Sequence, residues 1–70
     1  MAEYIVNSVY TLRTKKGLTQ EEFAEKVGVT RQTVISIEKG NYTPSVLLAL
    51  KIAAVFNAPV EHIFRISHAK

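Results

Sequence analysis

Two helix-start signals stand eleven residues apart in this chain, and only a Gly-Val pair separates the end of the first helix from the start of the second. Thr19 and Glu22 form a T-x-x-E capping box, in which hydroxyl and carboxylate each satisfy a backbone N–H at a helix start. Leu18 and Phe23 occupy the flanking staple positions that set the chain's approach angle. The spacing predicts a helix over 19–27 stopped by Gly28. Thr30 then caps a further helix that runs through Lys39 and ends at Gly40, with Val29 and Val34 repeating the staple. So short a turn holds the second of these helices against the first.

Similar punctuation marks three more helices. Val9 and Leu12, three apart, predict a first helix over 7–16 with Gly17 as its stop. Thr43 and Ser45 compete as caps around Pro44 for a helix that carries the apolar run to Phe56 and ends at Asn57. That run is interrupted by Lys51 and falls well short of the roughly 20 residues a membrane helix needs, so it reads as a core helix. A fifth, short helix over 59–64 begins with Pro59 at its first position. Residues 4–6 and 64–66 are β-prone and can pair as two short strands, although each is too short for propensity to settle.

With 70 residues, the chain is expected to form one domain over 1–70. Its 47% apolar and 21% charged residues suit a packed globule. A domain this small buries only about 60% of the surface of its unfolded chain, so pairing is a common route to stability. The absence of cysteine excludes disulfides and thiolate zinc sites and fits a cytoplasmic address. No basic, apolar leader follows Met1, so a secretory signal is not expected. Two histidines, His62 and His68, six glutamates and no aspartate offer no convergent acid, base and nucleophile and a poor metal site. No catalytic residue, metal or cofactor is therefore assigned. A net charge of +3 is compatible with an anionic partner, nucleic acid first, without requiring one.

At about 100° per residue, Arg31, Gln32, Ile35, Ser36 and Lys39 fall on one side of the third helix, and Val34 and Ile37 on the other. The second group can anchor the helix on a core while the first projects polar donors outward, as a groove-reading helix requires. Periodicity alone is equally satisfied by an ordinary solvated face.

The stretch LTQEEFAEKVGVTRQTVISIEKGNYTPS resembles the helix-turn-helix of phage-repressor and Cro-like regulators, the XRE family, over residues 13–56. The tail, with LALKIA and FNAPVEHIF, is similar to a compact subgroup that consists of little beyond this domain. The resemblance implies an all-α, five-helix, lambda-repressor-like DNA-binding domain with a helix-turn-helix over 19–39, and a homodimeric regulator of double-stranded DNA. Position by position it makes Arg31, Gln32 and Ser36 base-reading residues, with Thr30 nearby. Chemistry agrees, since an Arg fork holds guanine O6 and N7 and a Gln amide pairs with adenine N6 and N7. Ile35 departs from the usual polar residue at its position; it can meet thymine methyls or pack at the margin of the core. Gln20 at the start of the second helix, and Lys39, Asn41, Tyr42 and Thr43 after the third, are the implied phosphate contacts. Arg13 and Glu38 match a salt bridge between the first and third helices. The dimer surface is expected in the C-terminal third, over 58–68, where Val60, Ile63, Phe64 and Ile66 are too apolar for a small chain to expose. The rival reading is an antitoxin-like or other protein-interaction module whose main partner is a protein.

Overall fold

A computed structural model describes residues 2–68. Along the chain run β1 (Glu3–Asn7), α1 (Val9–Lys15), α2 (Gln20–Val27), α3 (Arg31–Glu38), α4 (Val46–Phe56), α5 (Val60–Ile63) and β2 (Phe64–His68). The fold is mostly helical, with five helices and one small antiparallel sheet of two strands.

Local chemistry accounts for the helix starts. The Thr19 hydroxyl accepts from the Glu22 N–H at 3.0 Å while Glu22 Oε1 accepts from the Thr19 N–H at 2.8 Å, closing the capping box. The Thr30 hydroxyl accepts from the Thr33 N–H, and Ser45, rather than Thr43, caps α4 by accepting from the Leu48 N–H. The stops share one device. At the end of α2 the Val29 N–H bonds the Ala24 carbonyl and the Gly28 N–H bonds that of Glu25, the paired bonds of a Schellman motif. This motif needs a left-handed residue, and Gly28 supplies it at φ 75°. A Cβ added there would come no nearer than 4.0 Å to its closest neighbour, the flexible Lys51 Nζ, so the requirement for glycine is one of backbone strain and not of crowding. Equivalent pairs close α1, α3 and α4, the last with Asn57 in the left-handed region at φ 51°.

Phe23, Ile37, Ile52, Ile63, Val9 and Val34 are the large, fully buried side chains, one or more from every helix, and Phe23 stacks on Phe56 with ring centroids 5.1 Å apart. Leu18 and Val29, the outer halves of the two staples, pack against this cluster. The ends of the described chain form the sheet, in register from Glu3↔His68 through Ile5↔Ile66 to Asn7↔Phe64.

Three sequence expectations are corrected. Asn7 belongs to β1, so α1 begins at Val9: the Asn7 Oδ1 accepts from the Val9 N–H and turns the chain from strand to helix. Pro59 precedes α5 as its cap, and Phe64 leaves the helix for β2, which limits α5 to one turn. The apolar run of α4 is not wholly core. Leu48, Ile52 and Ala53 are buried, but Val46 is 76%, Leu47 65% and Leu50 55% exposed. Among the described residues no helix is long and apolar enough to cross a membrane.

Candidate nucleic-acid interface

α3 is divided lengthwise. Val34 and Ile37 are fully buried, while Thr30, Arg31 and Gln32 are exposed and Ile35 and Ser36 half-buried. Ile35 stands outside the buried cluster. The first turn of α3 carries no acidic side chain, in contrast to Glu21 and Glu22 in α2, so the positive end of its dipole is left uncompensated beside Arg31.

Behind this face the helix is pinned. Arg13 Nε meets Glu38 Oε2 at 2.6 Å, and both side chains are more than nine-tenths buried. Arg13 also donates through Nη1 to the Leu18 carbonyl at 2.8 Å, and Gln20 Nε2 donates to Glu38 Oε1 at 3.1 Å. Glu38 thus ties α1 and α2 to the last turn of α3, and Arg13 adds the α1–α2 turn to the same network. Leaving either charge alone in this setting would be costly, and each is satisfied.

The residues expected to touch DNA do not all gather in one place. Thr30, Gln32, Ser36, Asn41 and Tyr42 line a shallow hollow of about 260 Å³ together with Thr33, a residue the sequence reading passed over. The Thr30 and Thr33 hydroxyls lie 3.1 Å apart there, and the i, i+3 spacing from the cap was the available signal. Lys39 lines a second groove with Tyr4, Ile5, Val6 and Asn7 of β1, and Thr43 a third beside Glu3 and Tyr4. The loop after α3 therefore faces both the helix and the terminal strands. Gln20 is half-buried with its amide engaged by Glu38, which leaves its main-chain N–H and second amide hydrogen for any outside partner.

The expected dimer surface is corrected in part. Ile63 is completely buried, because the single turn of α5 points it into the core, and Val60 and Phe64 pack half-buried against the same cluster. Of the four, only Ile66 presents a largely free side chain, 63% exposed. The larger exposed apolar surface is the outer face of α4, with Val46, Leu47 and Leu50. The run Val46-Leu47-Leu48-Ala49-Leu50 is apolar all round, and one small core cannot cover every side of a helix, but the sequence does not say which side stays exposed.

Two helices at a tight glycine turn, the second buried on one side and polar on the other, define the helix-turn-helix DNA-binding fold. The chain belongs to the helix-turn-helix family of XRE type, which its residues 9–63 match. It is 55% identical over 58 residues to YgzD of Bacillus subtilis, an uncharacterized HTH-type transcriptional regulator, covering 83% of this chain and 88% of that one. It is 30% identical over 57 residues to the cryptic phage CTXphi transcriptional repressor RstR of Vibrio cholerae, covering 81% of this chain and 51% of the repressor. Among solved structures, the restriction-modification controller protein C.AhdI from Aeromonas hydrophila superposes with a TM-score of 0.71 at 33% identity, over 77% of this chain and 82% of that one. The protein is thus a transcriptional regulator with a helix-turn-helix DNA-binding fold.

Proposed function

We propose that this protein binds duplex DNA sequence-specifically through the major groove and acts as a homodimeric repressor on a near-palindromic operator. The observation that carries the reading is the division of α3 into a buried face, Val34 and Ile37, and an exposed one that opens with Arg31 and Gln32. A helix anchored from behind with long polar donors in its first turn is what groove reading requires. In this reading Arg31 addresses guanine and Gln32 adenine, Thr30 and Ser36 supply hydroxyls, and Ile35 meets thymine methyl groups. Gln20, Lys39, Asn41, Tyr42 and Thr43 contact the phosphate backbone and fix the register. The name of the relative RstR supports repression as the outcome.

The second copy is placed on the outer face of α4, with Val46, Leu47 and Leu50, extended by Ile66. Three large aliphatic side chains exposed on one helix of so small a protein support that assignment. Two-fold symmetry then sets the two α3 helices in successive major grooves about 34 Å apart, and occupancy of the operator blocks polymerase. The protein is read as cytoplasmic and as working without a cofactor.

The test is selection from a random duplex pool, followed by titration of the recovered sequence against salt. Near-palindromic sites with half-sites one helical turn apart are expected, with an affinity that falls steeply as salt rises. No preference among duplexes at low ionic strength would overturn the proposal. The competing reading, a module held mainly by another protein, draws on the same α4 face and predicts that result.

A further inference from the structure

The last turn of α3 is held from two sides by unrelated means. Glu38 is gripped by Arg13 of α1 and Gln20 of α2. The neighbouring Ile37 carbonyl accepts from the side chain of Asn7, whose Nδ2 lies 2.9 Å away across 30 residues of sequence. The same carbonyl accepts from the Gly40 N–H at 2.9 Å, one of the two bonds that turn the chain from α3 into the loop 40–43. The other amide atom of Asn7 is also engaged, Oδ1 accepting from the Val9 N–H at 3.0 Å. Asn7 in turn is placed by the terminal sheet, where it pairs with Phe64, and the following residue is fixed by the Ser8 N–H donating to the Ile63 carbonyl at 2.9 Å.

We propose that Asn7 is a positioning residue for DNA reading: it transfers the placement of the terminal β-ribbon to the end of α3 and to the loop that follows. A single anchor at Glu38 holds one point of the helix end. A second anchor on the adjacent residue, reaching it from β1, restrains rotation about that point and so holds the exit direction of the loop. Side-chain amides suit the task because one group donates to the Ile37 carbonyl while accepting from Val9. The groove between β1 and the end of α3, lined by Asn7, Glu38, Lys39 and Gly40, shows the two elements side by side with this bond across it. The assignment rests on the DNA-binding reading for its consequence and on the hydrogen bonds for its mechanism.

The test uses Asn7→Asp, which keeps the acceptor for Val9 but loses the donor to Ile37, and Asn7→Ser, which keeps an acceptor and is too short to reach Ile37. Each is compared with wild type on the best duplex recovered from the random pool and on a scrambled duplex of equal length. Loss of one partly buried hydrogen bond should lower the preference for the selected duplex by roughly three- to tenfold. Binding to the scrambled duplex, set by phosphate charge, should stay within about twofold. Amide hydrogen exchange should quicken at Gly40 and Asn41 and not at Phe23 or Val27 of α2. Unchanged preference in both variants, or exchange that quickens uniformly over the fold, would overturn the role of Asn7. Wild-type protein without any preference would overturn the DNA reading instead, and the exchange pattern would then decide the coupling alone.

Discussion

The Arg13 guanidinium and the Glu38 carboxylate form a buried ion pair, 2.6 Å between Nε and Oε2, that joins the first helix to the last turn of the third. Because Arg13 also serves the Leu18 carbonyl and Glu38 also serves Gln20, the pair closes a small network in which, among the described residues, every buried side-chain polar atom has a partner. Removing one member strands the other charge in a site that water scarcely reaches.

Arg13→Met is accordingly expected to destabilise the fold by about 3 kcal/mol, the scale for an uncompensated buried charge. The double variant Arg13→Met with Glu38→Leu should lose less than the single one. Denaturant unfolding of the four proteins of the cycle measures this, and a harmless Arg13→Met would exclude the network as a support of the fold.

Base readers and phosphate contacts should separate in their salt behaviour. Arg31→Ala should cost roughly 1–3 kcal/mol and relax preference at one operator position. Lys39→Ala should weaken selected and scrambled duplexes alike and lower the salt slope by about one. Titrations at four salt concentrations distinguish the two patterns, and matching slopes for wild type and Lys39→Ala would remove Lys39 from the contact surface.

Ile35 is half-buried but outside the core cluster, so its hydrophobic partner is sought in the DNA. Replacing thymine by uracil at single operator positions should weaken wild-type binding at one position and leave Ile35→Ser unaffected there. Equal response of the two proteins at every position would end the methyl-contact assignment.

Leu50 and Phe64 should respond differently to the same change. Leu50→Asp alters an exposed side chain and should shift the protein from dimer to monomer with the fold intact. Phe64→Asp places a charge against the core and should unfold the protein instead. Sedimentation equilibrium and circular dichroism read the two outcomes; a Leu50→Asp protein of unchanged mass would move the interface off α4.

The capping box makes part of the stability depend on acid. Glu22 is held below its ordinary carboxyl value, chiefly by the Thr19 N–H donating to it and then by the Thr19 side chain. A lowered folded value means that the contribution is present above the unfolded value and is lost as pH falls through the folded one. Glu22→Gln keeps an acceptor for Thr19 without titrating, so its melting temperature should fall less between about pH 6 and pH 3 than that of wild type. Superimposable profiles would show that the box does not titrate with folding.

The ends of α2 and of α3 and the stop of α4 are legible in the sequence because the forces that set them act within six residues, whereas the starts of α1 and α5 depend on strand pairing. The Thr19 box and the left-handed stops at Gly28 and Asn57 each close on their own neighbours, so the residues at those positions suffice, while Thr43 and Ser45 compete as caps of α4 and the structure chooses Ser45. The buried side of α3 was legible for the same reason, since Val34 and Ile37 follow helical period. Ile63 and Leu50 were not, because both are equally apolar in sequence, and which one is covered depends on the direction from which other elements arrive.

That direction was decided by tertiary structure alone. Pairing Glu3 with His68 closes nearly the whole chain into a loop, a long-range contact whose cost and gain no local propensity reports. In the folded chain the ribbon brings Asn7 to Ile37, Ile63 of α5 is buried, and the outer face of α4 is left exposed. Short-range hydrogen-bonding chemistry thus named the helices, and helical period the exposed side of α3, whereas the packing of distant segments chose which apolar side chains became core and which became surface.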